Sequence, residues 1–435
     1  MRLTGWQLVL VLAWPLTASA DPLPEATAFQ RQIYVEQQRQ KLNPANFDLG
    51  TYPPIDRHLH HWRQVWWTVA IFEPETALVK STLEQMLDMA LIPDLTPAQQ
   101  TIVLSALQVS HQLYVHRPQF YGSLAQRFHA IAKYSTNPQW TSMALASLQQ
   151  GGADPQELQS ITRSIRQRLP LWSINPFLSA TLTQLAYDTK PSPLPPLTDL
   201  LNWQIAPAQP QLFVFCPKAS RRLCFSLLKD RSGQFVRENG QIWSVPLLLE
   251  SIHSLGWQFF NGATPQGIYR LEGTVPQPDT TEFRAYGQFP LVKLFVPFEQ
   301  GVKEFLPTQG GRFTGDLSSY QQLLPESWRN YFPLQQTYWA GKIGRSYFRI
   351  HGSGEDPNYF HRPQRLPWNP TLGCLSALEV YDDRGRLVQA HMPKILQVLA
   401  QYSDPDLTGY VIVVDVPAEI TLDTITGLLP SSPEQ

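Results

Sequence analysis

The sequence predicts an α+β protein in two unlike halves, an all-helical N-terminal half followed by a mainly-β C-terminal half. Three observations carry this. Between residues 25 and 190 apolar side chains recur at helical spacing behind repeated capped starts. A proline-rich stretch, 191–210, then interrupts the pattern. From Gln211 onward the apolar runs shorten, alternate and are bounded by Gly, Asn and Asp turns.

The length of 435 residues suits two or three domains, each with its own core. Charged residues make up 16% and the formal net charge is −1, so no basic field exists to hold nucleic acid. The 39 prolines predict many short, sharply bounded elements.

Residues 1–20 read as a secretory signal peptide. Arg2 is its basic start, Trp6 to Leu16 its short apolar core and Ala18-Ser19-Ala20 its cleavage site. The mature chain is expected to begin at Asp21 and to work outside the cytoplasm, in a periplasmic or equivalent space. The apolar core is short for a bilayer, and no later stretch is long and apolar enough, so the mature chain is expected to carry no transmembrane segment.

Residues 21–190 form the predicted helical domain. Val79, Leu83, Met86, Leu87 and Ala90 share a helix face, as do Leu158, Ile161, Ile165 and Leu169. Starts are signalled at Thr96-Pro97, Asn137-Pro138, Asp154-Pro155 and Asn175-Pro176: a capping oxygen at N-cap, then Pro where its missing N–H costs nothing. The starts at 96, 137 and 175 lie 41 and 38 residues apart, a spacing that suits stacked helix pairs of the α-solenoid kind. With no catalytic motif, this half is a candidate surface for a protein partner.

The cluster Arg57-His58-Leu59-His60-His61-Trp62 invites a metal reading. His60 and His61 leave the face that His58 shares with Trp62, and no carboxylate completes a set, so a polar helix start is expected and no metal site. Trp62, Trp66 and Trp67 are expected in the core.

The 191–210 linker holds Pro191, Pro193, Pro195, Pro196, Pro207 and Pro210 and is expected to be stiff and extended, a spacer between the halves. The β domain is expected over 211–418, with a polar tail at 419–435. Its strands begin with Leu212-Phe213-Val214-Phe215 and Cys224-Phe225-Ser226-Leu227, and Gln241 to Val245, Gly267 to Leu271 and Tyr410 to Val416 follow. Cys216 and Cys224 sit on the two arms of an expected hairpin; in an oxidising compartment they form a disulfide, and otherwise are two buried thiols. Pairing them leaves Cys374 as the free thiol among three cysteines.

Cys374 lies in Pro370-Thr371-Leu372-Gly373-Cys374-Leu375-Ser376, and Ile350-His351-Gly352-Ser353-Gly354 lies 23 residues upstream. A thiol with a free pKa of about 8.5 needs a base to become a nucleophile. His351 ends a strand-like run, His361 lies in a charged, proline-containing loop, and His391 precedes a helical stretch; His351 is the preferred base. Gly352, Gly354 and Gly373 allow close backbone approach and free N–H groups for an oxyanion. Trp368 and Asn369 could line a cleft or pack inside.

Three pieces resemble the L,D-transpeptidase (YkuD-type) catalytic domain: His351-Gly352, Thr371-Leu372-Gly373-Cys374-Leu375, and Thr264-Pro265-Gln266-Gly267-Ile268. The resemblance spans roughly 205–418. Ser376 stands where that family usually has Arg, and Leu372 where many members have His. The resemblance implies a mainly-β catalytic domain and a cell-wall peptidoglycan transpeptidase with Cys374 as nucleophile and His351 as base. Gly352, Ser353, Thr371, Gly373 and Ser376 are its expected oxyanion or substrate-binding residues, and stem peptides its expected partners. It implies no metal or organic cofactor. A long insertion, about 275–340, is expected to cover the site as a lid. Two alternatives stay open: a carboxypeptidase- or endopeptidase-type cysteine hydrolase of peptidoglycan, and a non-catalytic wall-binding scaffold.

Overall fold

The structure is a computed structural model that describes residues 26–218, 223–276, 289–307, 309–354 and 368–429. The expected signal peptide, the start at Asp21 and His361 lie outside the described residues.

The N-terminal half is helical: α1 (Ala28–Gln40), α2 (Leu59–Phe72), α3 (Ala77–Asp88), α4 (Pro97–His116), α5 (Pro118–Tyr121), α6 (Ala125–Tyr134), α7 (Pro138–Gln150), α8 (Pro155–Arg168) and α9 (Pro176–Thr189). Four begin as their sequences dictate. Thr96 and Gln99 close a capping box at α4, and the side chains of Asn137, Asp154 and Asn175 accept from the first free N–H groups of α7, α8 and α9. Each cap contributes about 1 kcal/mol. The helices pack in two layers: α2, α4, α7 and α9 touch in succession, and α3, α6 and α8 form the second row. Their shared core includes Trp62, Trp66, Leu83, Leu107, Phe128 and Met143.

The expected spacer is not extended. Residues 197–202 form α10 (Leu197–Asn202), and Leu197, Leu200 and Leu201 are buried against the β half. The indole N–H of Trp328 donates to the Pro196 carbonyl at 2.9 Å, and that of Trp203 to Leu323 O at 2.8 Å. Proline stiffness governs only the residues before Leu197; apolar burial decides the rest.

The C-terminal half is built on β1 (Gln211–Pro217), β2 (Leu223–Lys229), β3 (Arg237–Glu238), β4 (Gln241–Ile242), β5 (Pro246–Leu248), β6 (Gly267–Val275), β7 (Leu291–Phe295), β8 (Phe348–Gly354), β9 (Leu375–Tyr381), β10 (Leu387–Ala390) and β11 (Thr408–Val416). Eight strands run in the order β9-β5-β2-β1-β11-β6-β7-β8, and β8 pairs with β9 to close a barrel; β10 adds outside β9, and β3–β4 is a separate hairpin. The pairs β1–β11 and β8–β9 are parallel, the others antiparallel. Side chains alternate across the sheet. Leu212, Val214, Tyr269, Val292, Ile350, Leu375 and Val411 point inward, with Met392 and Ile395 of α13 (Met392–Tyr402) in the same core. Phe213, Phe215, Ile268, Ile412 and Val414 point to a second, outer core. Cys216 and Cys224 are joined by a disulfide across β1–β2, with Cα atoms 4.1 Å apart.

The described part of 275–340 does not lie as a lid. It contributes β7 to the barrel, then α11 (Leu317–Gln321) and the start of α12 (Gln336–Ile343). Phe305, Phe313, Tyr320, Leu324, Trp328 and Leu334 bury themselves on the outer face of the sheet. The Tyr320 hydroxyl donates to Leu334 O at 2.7 Å and accepts from the Ile268 N–H at 2.9 Å. The segment's aromatic content is a packing signal: each such ring gains more from burial than an exposed cover could offer. The last element among the described residues is α14 (Leu422–Leu428), whose Ile425 joins the same outer core, so part of the expected polar tail is a packed helix.

Candidate active site

Cys374 closes the loop that leads into β9. Thr371 folds that loop: its Oγ1 donates to the Cys374 carbonyl at 2.8 Å and accepts from the Gly373 N–H at 3.2 Å. The expectation that the Gly373 N–H serves an oxyanion is therefore not met here, because Thr371 uses it. Gly373 has φ +117°, a region open to glycine. A Cβ there would sit 2.5 Å from Arg345 Nη2 and 2.6 Å from the Gly262 carbonyl. The Thr264 hydroxyl donates to the Gly373 carbonyl at 3.0 Å. Two of the three sequence pieces thus meet directly.

The third piece is the neighbouring strand. The parallel β8–β9 register pairs Ile350 with Leu375, His351 with Ser376 and Gly352 with Ala377. A step of one strand and two residues puts the His351 and Cys374 Cα atoms about 8 Å apart, within reach of an imidazole and a thiol. His351 is buried, and its Nδ1 lies 2.8 Å from the Gly352 carbonyl. A Cβ at Gly352 would overlap the buried Glu379 carboxylate, which accepts from the Tyr381 hydroxyl at 3.0 Å, so any larger residue there requires Glu379 to shift.

The thiol sits against the start of β8. Its Sγ donates to the Tyr347 carbonyl at 3.7 Å, a long sulfur bond. Tyr347 itself has φ +62°, unusual for a residue with a Cβ, and its N–H donates to Glu299 Oε1 at 2.9 Å. The side chains of Tyr347 and of Leu372, two residues before Cys374, are exposed, at 75% and 40%.

Burial pushes the Cys374 thiol above its ordinary range; the Arg349 N–H and the charges of Arg349 and Arg345 oppose this, while Glu299 adds to it. Burial holds His351 below the usual histidine value, helped by Arg349 and opposed by its bond to Gly352. Burial also raises Glu299 above the usual carboxylate range, against its bonds from Tyr347 and Val296 N–H and the nearby Arg349 charge. Both shifts favour the uncharged form, of the thiol in one case and of the imidazole in the other.

Ser376 is fully buried; its hydroxyl accepts from the Trp368 indole N–H at 3.0 Å and donates to Asn369 O at 3.3 Å. It is an internal post and offers no face to a substrate. Ser353 donates to the same Asn369 carbonyl at 3.1 Å. Trp368 and Asn369 are both buried, so they hold the strand pair and do not line an open cleft. His391 packs edge-on against Trp368, on the far side of Ser376 from His351.

The His58–His61 cluster is divided among separate tasks. His58 Nδ1 lies 2.8 Å from Pro53 O, His61 Nε2 lies 2.9 Å from Asn46 O with its ring stacked on Tyr52, and His60 bonds Gln64. Among the described residues no group of three or more His, Cys, Asp or Glu is placed to hold a metal ion.

Sequence reasoning missed Arg345, Arg349, Glu299 and Tyr347. Arg345 is buried and donates to the carbonyls of Trp257, Ala263 (2.9 Å) and Gly262 (2.9 Å). The only signal was its place just before the His351 strand. Compared with protein-family models, curated proteins and solved structures, the chain matches none. No helix among the described residues is long and apolar enough to cross a membrane.

Proposed function

We propose that the protein is a cysteine acyltransferase of the L,D-transpeptidase type acting on peptidoglycan stem peptides. The observation that supports it best is convergence: Thr264, Gly373-Cys374 and His351-Gly352, far apart in sequence, come together at one end of the β8–β9 pair. The two-layered packing of the helical half supports the solenoid reading.

In this reading Cys374 attacks the carbonyl of the terminal L,D amide of a stem tetrapeptide, and the Cys374 backbone N–H would face the oxyanion. His351 Nε2 takes the thiol proton and gives it to the departing D-Ala amine, leaving an acyl thioester. An amine acceptor then attacks the thioester, its proton returns through His351 to the sulfur, and a new amide is released. With Ser376 buried, the side chain suited to the donor carboxylate is Arg349, whose guanidinium lies 5.6 Å from the exposed Tyr347 ring.

One observation favours hydrolysis as the second reading: the described part of the 275–340 segment packs behind the sheet and leaves the thioester without that cover. A tetrapeptide donor incubated with and without an added D-amino acid separates the two. Transfer gives a mass in which the amino acid has replaced the terminal D-Ala. Tripeptide alone, even at high acceptor concentration, means that water is the acceptor.

A further inference from the structure

We propose that the helical half is a working part of the catalytic unit: the polar face of α4 positions segment 250–263, and that segment positions the Cys374 loop. The inference takes from the functional reading only that Cys374 is the reacting group.

The first link is a polar stripe on α4, buried except at its last member. Gln108, His111, Gln112 and His116 recur at i, i+3, i+4 and i+8, so they share one face. All four reach across to the β half. Gln108 donates through Nε2 to the Phe260 carbonyl at 2.9 Å and accepts from Asn261 Nδ2 at 3.2 Å. His111 Nε2–H donates to the Ser254 carbonyl at 3.3 Å. Gln112 Oε1 lies 3.0 Å from His253 Nδ1. His116 Nε2 lies 2.8 Å from Ser254 Oγ.

The stripe is itself braced from within the helical half. Glu73, buried at the end of α2, accepts from Gln112 Nε2 at 2.8 Å and from His116 Nδ1–H at 2.6 Å. Ser147 of α7 lies 2.9 Å from His111 Nδ1. Mobile surface side chains would transmit nothing; Gln108, His111 and Gln112 are buried and His116 is half-buried, and His111, Gln112 and His116 are bonded on both sides, so they fix a geometry.

The second link runs from segment 250–263 to the nucleophile loop. The Ile252 N–H donates to the Thr371 carbonyl at 2.9 Å, and the Thr371 N–H to the Glu250 carbonyl at 3.3 Å. Thr371 then holds Gly373 and Cys374 through its hydroxyl. A parallel route passes through Arg345, gripped by the carbonyls of Trp257, Gly262 and Ala263 and packed against Gly373. Segment 250–263 contains no regular element and takes left-handed backbone at Ser254 and Asn261. A stretch with so little ladder of its own is held by its neighbours, and one of those neighbours is the helical half.

The test is the pH dependence of Cys374 alkylation by iodoacetamide in the full-length protein, which needs no peptide donor. A failed transfer assay and a failed coupling are therefore separate outcomes. The double variant Gln108→Leu/Gln112→Leu cuts three of the cross-half bonds. Leu83→Ala destabilises the helical core from α3 without touching them. The expected result is a change of at least threefold in the alkylation rate at fixed pH, or a moved midpoint, in the double variant, with Leu83→Ala within twofold of wild type. A wild-type alkylation profile in the double variant, or an equal change in Leu83→Ala, overturns the proposal. Should the double variant fail to fold, Ser254→Ala, which removes only the hydroxyl between His116 and Glu250, is read in the same way, and an unchanged profile there overturns it too.

Discussion

His351 Nδ1–H donates to the carbonyl oxygen of its own neighbour, Gly352, 2.8 Å away. A carbonyl only accepts, so the ring proton sits on Nδ1 and the lone pair on Nε2. The neutral ring is thereby held in the tautomer a general base requires. His351→Ala is expected to lower turnover at least roughly a hundredfold. His391→Gln, a change on the far side of Trp368, is expected to leave turnover near wild type. Steady-state kinetics with a tetrapeptide donor check both, and the reverse ranking would reassign the base.

The thiol and imidazole are shifted apart: burial raises the first and lowers the second. The rate should therefore hold as pH falls through the ordinary histidine value of about 6.5 and drop only at lower pH, where His351 finally protonates. Arg349→Gln removes a cation that favours the thiolate and disfavours the imidazolium. Its expected effect is to move Cys374 alkylation to higher pH and the acid limb of the rate profile upward. An unmoved alkylation curve would show that Arg349 does not act on the sulfur.

Gly373→Ala would force a Cβ between Arg345 Nη2 and the Gly262 carbonyl at φ +117°. The expected cost is on the order of 1–3 kcal/mol from the backbone alone, with a displaced Cys374. Thermal melts and iodoacetamide labelling read the two effects separately. Gly311→Ala, also at positive φ but with no atom near its Cβ, is the comparison and should spare the thiol.

His111 is fully buried, and desolvation holds it at about 4. The unfolded chain binds a proton there near 6.5 and the folded chain does not, so stability rises with pH across that window. The contribution is fully present above about 6.5 and is lost as pH falls toward 4, on the order of 3 kcal/mol in all. His111→Gln should flatten this part of the acid unfolding curve. Denaturant melts between pH 4 and 7 measure it; equal slopes in both proteins would contradict the assignment.

Much of the local structure was legible because it depends on neighbours in sequence. Thr96, Asn137, Asp154 and Asn175 cap the helices they announce, and their spacing picks out α4, α7 and α9 of one layer. The Cys216–Cys224 pairing follows from two arms of one hairpin. What the sequence concealed is long-range. Nothing local distinguishes an aromatic-rich lid from an aromatic-rich packing layer, and only the fold places Phe305 and Trp328 behind the sheet. Ser376 stood at a position expected to meet substrate, yet strand alternation turns it to the face opposite the inward Leu375, where Trp368 and Asn369 bury it. Arg345 and Glu299 reach the thiol from separate segments, and no spacing rule connects them to Cys374.

The most direct test of the central claim is the intact mass of the protein after brief incubation with a stem tetrapeptide and rapid acid quenching. The predicted result is an adduct equal to the donor less D-Ala, mapped to Cys374, released by hydroxylamine and absent in Cys374→Ala. Full turnover of donor with no adduct, or an adduct that survives in Cys374→Ala, would contradict cysteine-based acyl transfer at this site.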